Sequence, residues 1–381
     1  MSEDSIKDSV SGLREWVQSE ALPLWGGVGF DAASSTFIER LDPQGSPLLL
    51  VPRRIMVQAR QIYVFSHAAL LGWWPAGAEI ATLAAHAMVN AGFETDGAPG
   101  WIFSIDCHAN PIDRKRELYT QAFALYGLAW AYKAAPNPTF LDVAYATVAT
   151  LERFFASPTG GYFTALPADV NRRDQNPHMH LFEAFIAWHD ATGDSRFLAR
   201  AAQIYSMMAA RFFQPDRGVL PEYFDASWTP CRGATGRICE PGHHYEWFWL
   251  LRNYARRIGM EHEPISKSLK LFADRYGGDA ENLIVDELLD DGTVNKASRR
   301  CWPHTEKIKA EVAAFEEGES LASLRAARTI SRLRSVFLGR PKPPLWVDHI
   351  GPNGHPLVEY VPASTLYHVF LATAEAHRVW G

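Results

Sequence analysis

The sequence predicts an all-α fold, an (α/α)6 barrel of about twelve helices whose long loops gather on one rim. Three observations predict it. Hydrophobic residues recur at helical spacing along almost the whole chain, and strand-like alternation is scarce. The helical segments come in pairs joined by short turns, such as Gly72-Trp73-Trp74-Pro75 and Thr192-Gly193-Asp194. Between the pairs lie longer stretches rich in Gly, Pro and aromatics, at 93–113, 158–176, 214–242 and 338–362. Short connections alternating with long ones put the long loops at one end, where binding and catalytic groups concentrate.

In order, the spacing predicts helices over 5–20, 52–73, 76–92, 114–133, 138–156, 178–192, 195–213, 243–257, 262–276, 304–317, 319–337 and 363–379. The second ends at the Gly72 turn. Pro138 and Thr139 open the fifth, the sixth stops at Gly193, and Asp194-Ser195 starts the seventh. In the tenth, Pro303 takes a first-turn position, where its missing N–H costs nothing. Short β-ribbons are expected in the loops, for instance around Gly160-Gly161-Tyr162-Phe163. The repetition is one of hydrophobic pattern only, with no close sequence repeat. The chain contains no low-complexity linker, so residues 1–381 read as a single domain.

Composition narrows the function. The 381 residues, 47% of them hydrophobic, bury a large core with ease; a length that usually means about two or three domains also suits one closed barrel. Net charge is −6, and the densest basic patch, Arg114-Lys115-Arg116, sits between Asp113 and Glu117, so nucleic acid is an unsuitable partner. The acidic start and the lack of a long apolar run argue against a signal peptide or a membrane span, and a cytoplasmic location is expected. Cys107, Cys231, Cys239 and Cys301 form no CxxC pair and read as free thiols. Aromatic residues make up 12% of the chain, a content that suits both a core and the apolar face of a sugar.

The residues fit for chemistry cluster where long loops enter helices. In Asn176-Pro177-His178-Met179-His180-Leu181-Phe182-Glu183, His180 and Glu183 share a helix face at i, i+3. Pro241-Gly242-His243-His244-Tyr245-Glu246-Trp247 repeats the arrangement with His243 and Glu246, so Glu246 is expected to orient His243 as an acid/base group. His368 opens the last helix, and Arg60 and Arg300-Cys301-Trp302-Pro303-His304-Thr305-Glu306 complete the set. His67, His86 and His189, each alone on a helix, read as structural. Taken singly, Arg60 reads equally well as an ion-pair partner, and Trp247 and Trp302 as core.

Other chemistries fit less well. His178, His180, His243, His244, Glu183 and Glu246 are metal-ligand types, but HxH and HHxxE some sixty residues apart match no closed ligand signature and lack the HExxH order. No metal is therefore expected. Glu183, Glu246 and Glu306 suit a glycoside hydrolase only as two carboxylates across a cleaved bond, and histidines beside each suggest orientation instead. Neither a GxGxxG fingerprint nor a P-loop is present, so no nucleotide cofactor is expected. A non-catalytic sugar-binding protein is the remaining reading.

Together these segments, with Arg54-…-Gln58-Ala59-Arg60, Glu117-Leu118-Tyr119-Thr120-Gln121-Ala122-Phe123 and Tyr367-His368, resemble the N-acylglucosamine 2-epimerase superfamily from Arg54 to His368. Within it the chain looks closest to the mannose isomerase and sulfoquinovose isomerase branch, Trp247 after Glu246 being one reason. The resemblance implies a cofactor-independent aldose–ketose isomerase acting on mannose and fructose, or a close analogue, through a cis-enediol; a sugar 2-epimerase is the alternative. It implies catalytic roles for His243, His368, His180 and Glu246, with Arg60, Tyr119, Asn176, Trp302 and Glu306 around a monosaccharide. His243 is expected to move the carbon-bound proton, His368 to be the second acid/base group, and His180 to open the ring. His304, where the family more often has Gln, and Gln121, where many members have His, are expected to bear on contacts at the far end of the substrate. Arg232 or Arg237 matches an Arg that many relatives carry before the GHxxEW motif.

Overall fold

Six stretches of this chain are buried over most of their residues, and each is an inner helix because only a position walled by other helices hides so much of it. The computed structural model describes residues 3–169, 171–261 and 263–381. The inner helices are α3 (Ile55–Leu70), α5 (Leu118–Ala134), α7 (Asn176–Thr192), α9 (Pro241–Ile258), α11 (Trp302–Glu316) and α13 (Ser364–Trp380). In α7 every residue from Pro177 to Trp188 is buried. Outside them lie α1 (Glu3–Trp16), α4 (Gly77–Gly92), α6 (Pro138–Thr150), α8 (Ser195–Met207), α10 (Ser266–Tyr276) and α12 (Ala322–Val336). These bury one stripe only, as α8 does through Phe197, Ala201 and Ile204.

All twelve expected helices occur, with α1 continuing through a π-helical turn, Val17–Ala21, into the short α2 (Leu22–Gly26). The ends of α6 and α8 relax in the same way, at Leu151–Phe155 and Met208–Phe212. The Asn137 side chain accepts from Thr139 N–H at the start of α6, and Asp194 accepts from Arg196 N–H at α8. Gly193 and Gly259 close α7 and α9 at φ 71° and 68°. Two expected starts move inward. Residues 52–54 and 114–117 precede α3 and α5 as extended chain, because Arg53–Arg54 and Arg116–Glu117 pair with other strands. The expected start of the ninth helix, at 262, lies outside the described residues, and α10 begins at Ser266.

Inner helices pack in chain order, α3 on α5, α5 on α7, α7 on α9, α9 on α11 and α11 on α13, and α13 returns to α3. Every connection from an outer to an inner helix is long and every return is short, so all inner N-termini share one end. There an extended segment just before each inner helix joins a small antiparallel ribbon with a neighbouring loop. Arg173–Asp174 pairs with Tyr223–Phe224, and Arg299–Arg300 with His349–Ile350. Around 160–163 the expected ribbon reduces to one bridge, Ala156 to Tyr162.

On five of the six inner helices one side chain ties these loops down. His178, His244 and His304 each turn Nδ1 to the carbonyl four residues back, 3.0 Å away at Asp174, Glu240 and Arg300. Each Nε2 accepts a loop N–H, from Tyr162 at 3.0 Å, Leu220 at 3.2 Å and Ile284 at 3.0 Å. In α5 the Gln121 amide makes the same double latch to Trp101, and in α3 Gln58 makes it to Phe37. The fold therefore carries a repeat in side chains that hydrophobic pattern alone hides. No helix is long and apolar enough to cross a membrane among the described residues, and all four cysteines are free thiols.

Candidate active site

Positions close to each latch open onto a pocket of about 360 Å³ at the loop end. Arg60, His180 and Glu246 stand two residues after Gln58, His178 and His244, so a turn of some 200° carries them from the loop side to the centre of the ring. Tyr119, Asn176, His243, Trp302 and His368 line it with them, and Arg54, Glu240, Arg300, Asp348, His349 and Tyr360 form the rim. Gly242 is required beside Trp302: a Cβ there would stand 2.4 Å from the indole.

His243 and His368 come from the two helices flanking α11, and Trp302 of α11 lies between their rings, with centroids 5.0 Å and 5.5 Å away. Their charge surroundings differ. The His243 Nδ1 stands 3.0 Å from Glu222 Oε2 and 3.8 Å from Glu240 Oε2. Burial alone would strip its proton, but Glu222 and Glu240 outweigh burial and push its pKa up to about 10. Glu222 is itself held by Gln175 Nε2 at 2.7 Å, and the Gln175 carbonyl accepts the Trp247 indole N–H at 2.7 Å. Glu240 is raised to about 7 by burial and by Glu222, His243 and Arg300 opposing.

His368 instead sets its Nδ1 2.8 Å from Glu306 Oε1, leaving Nε2 available to the pocket. Burial, then Arg60 and Lys309, hold this imidazole well below its ordinary pKa, so it is neutral. Behind it, Lys309 Nζ lies 2.5 Å from Glu306 and 3.9 Å from Glu246. Burial opposes the Lys309 charge, and Glu306, Glu246 and Glu183 together hold it cationic. His180 sits 3.3 Å from Glu183, as its i, i+3 spacing requires, and burial lowers its pKa to about 3. The Tyr367 hydroxyl reaches the same carboxylate at 2.8 Å. Arg60 donates to the Tyr119 hydroxyl at 2.7 Å and stacks on Phe123.

Several expectations change here. Glu246 does not orient His243: both its carboxylate oxygens lack a hydrogen-bond partner among the described residues, and Glu222, brought in by a loop 21 residues upstream, takes that place. Glu306 is fully buried behind His368 and does not line the pocket. His304 and Gln121 are buried loop latches, remote from any substrate contact because both ends of each side chain are spent on backbone. Neither Arg232 nor Arg237 lines the pocket, and Arg237 pairs with Asp290 and Asp291. Sequence reasoning missed Glu222, Gln175 and Lys309. Lys309 alone left a local signal, a lysine three residues after Glu306 within a buried helix.

Among the described residues three triads bring ligand-type atoms within 4.8 Å of one another: His180-Glu183-Glu246, Glu222-Glu240-His243 and Glu246-Glu306-His368. Lys309 and the His243 imidazolium already supply the counter-charge an ion would bring, which weakens the metal reading on electrostatic grounds. Glu246 and Glu306 both face Lys309, so they do not straddle a scissile bond as a hydrolase pair would.

A family model for N-acylglucosamine 2-epimerase (GlcNAc 2-epimerase) matches residues 36–372. A protein named mannose-6-phosphate isomerase from Rhizobium meliloti (strain 1021) is 35% identical over 382 residues, covering 95% of each chain. The solved structure of cellobiose 2-epimerase from Spirochaeta thermophila DSM 6192 superposes with a TM-score of 0.88 at 23% identity, covering 99% of this chain and 98% of that one. A D-mannose isomerase structure superposes at 0.83 with 19% identity over 97% of each chain. At such identities the solved structures speak for the fold. With its family model spanning most of its length, the chain belongs to the N-acylglucosamine 2-epimerase family.

Proposed function

We propose that this chain is a cofactor-independent aldose–ketose isomerase, built on a single closed (α/α)6-barrel domain, that interconverts mannose and fructose or a close analogue through a cis-enediol. One observation carries the reading: two buried imidazoles in different charge surroundings, His243 beside Glu222 and Glu240 and His368 beside Glu306 and Lys309, flank Trp302 in one sugar-sized pocket. The relative named mannose-6-phosphate isomerase supports the same reaction class, and the return of α13 to α3 supports barrel closure.

In this reading Trp302 and Tyr119 seat the sugar, Asn176 offers an amide carbonyl without a partner among the described residues, and His180 moves a proton between O5 and O1 as the ring opens. His368, neutral and aimed by Glu306, takes the C2 proton through Nε2. The C2–H pair becomes the C1–C2 double bond while the carbonyl pair moves to O1. His243, as the imidazolium, gives O1 a proton, and Arg60 stabilises the charge that develops there. His368 then returns its proton to C1 and His243 accepts the O2 proton, leaving the ketose and both histidines as they began. The charges favour this division over the expected one, in which His243 takes the carbon proton.

Incubation with mannose, fructose and glucose in D2O, followed by NMR, tests the reading. Deuterium entering C1 of fructose during interconversion with mannose is the expected result; absence of label and product from every sugar overturns it. A phosphorylated hexose is a second reading. Arg300 lines the rim and has no ion-pair partner among the described residues, as recognition of an anionic end requires. A higher kcat/KM for mannose 6-phosphate than for mannose, lost in Arg300→Ala, would establish it.

A further inference from the structure

Four side chains run in a line from the protein interior to the pocket. The Trp247 indole N–H is given to Gln175 Oε1, Gln175 Nε2 to Glu222, and Glu222 faces His243 Nδ1. Trp247, Gln175 and Glu222 are buried, and the Gln175 amide is fixed in one orientation because only its carbonyl can accept from an indole. Glu222 thus stays an acceptor aimed at the imidazole. The other charged groups facing His243 are Glu240 from the start of its own helix and Glu246 one turn on, with Arg300 opposing Glu240. Glu306 and Glu246 also lie within 4.8 Å of His368, but there Lys309 stands against both carboxylates, at 2.5 Å and 3.9 Å.

From this geometry we infer that Glu222, held by Gln175 and Trp247, is a positioning residue that keeps His243 a proton donor, so that one C2 epimer of the substrate gives up its carbon-bound proton. The inference rests on the isomerase reading above. A sugar whose C2–H points at His368 meets a neutral imidazole and reacts. Its C2 epimer points that hydrogen at His243, which already holds a proton and cannot take another. Removing the Glu222 charge frees His243 to lose its proton, and the enediolate can then be reached from either face.

The test compares the wild type with Glu222→Gln, Glu222→Asp and Trp247→Phe. Titration of 15N-labelled histidine, with His243 assigned by loss of its signal in His243→Gln, should show His243 still charged above neutral pH in the wild type. Its midpoint should drop by about one to three pH units in Glu222→Gln, recover in Glu222→Asp, and drop by less in Trp247→Phe. In D2O the wild type should exchange C2–H of mannose and leave that of glucose untouched. Glu222→Gln should begin to exchange glucose while mannose turnover falls. Equal exchange of both epimers by the wild type, or an unchanged His243 midpoint in Glu222→Gln and Trp247→Phe, overturns the inference. A wild type inert toward every sugar sinks the isomerase reading instead, and the His243 titration still decides what Glu222 does. Trp247→Phe keeps the test available if Glu222→Gln does not fold.

Discussion

Two layers of buried histidine occupy the same end of the inner helices and behave as different residues. His178, His244 and His304 form the outer layer, and each spends both ring nitrogens on backbone. His180, His243 and His368 form the inner layer, and each gives one nitrogen to a carboxylate and keeps the other for the pocket. Neighbours in sequence, such as His243 and His244, fall in different layers because adjacent helix positions point about 100° apart. Burial is not what distinguishes them. A nitrogen left free next to a charge is.

The comparison breaks most visibly at the inner layer. His368→Gln should lower kcat by about a thousandfold, the usual worth of a positioned acid/base group, with an unchanged helical circular dichroism spectrum. His243→Gln should cost roughly a hundredfold; full activity in either variant would remove that residue from the mechanism. His244→Ala, by contrast, should leave kcat per folded molecule near normal. It strands Leu220 N–H and lowers stability by about 1–3 kcal/mol, read as a lower urea midpoint.

Acid should separate the layers in another way. Burial lowers His178, His244 and His304 to about 4 in the fold, against about 6.5 in the unfolded chain. The unfolded state therefore binds more protons between these values, and the stability these latches contribute, full above pH ~6.5, is lost as pH falls toward 4. His243 runs the other way. Its folded pKa of about 10 makes its contribution full below pH ~6.5 and lost as pH rises through the folded value. Urea midpoints across the range should peak between the two losses; a flat profile would contradict both. The smallest effect is expected from His304→Gln, within about 1 kcal/mol, because Gln58 and Gln121 already make the same latch on other helices.

How much of this was legible in the sequence depends on how far apart the interacting residues lie. The twelve helices, their caps and the alternation of short and long connections are local features, set by apolar spacing and by Pro, Gly, Asn and Asp at the ends. The loop-to-helix junctions of His180, His243 and His368 were visible for the same reason, and so was the His180–Glu183 pair, formed within one helical turn. The identical spacing of His243 and Glu246 misled, because a nearer carboxylate arrives from elsewhere.

Sequence alone thus determined the helices, their pairing and which of their ends would carry the chemistry, since these follow from backbone periodicity and turn residues. Only the tertiary structure decided that Glu222 faces His243, that Glu306 stands behind His368 with Lys309, and that His304 and Gln121 hold loops. Those outcomes depend on contacts between segments brought together by closure of the helix ring. The charge of a buried imidazole is set by whatever carboxylate lies within a few ångströms, however distant along the chain.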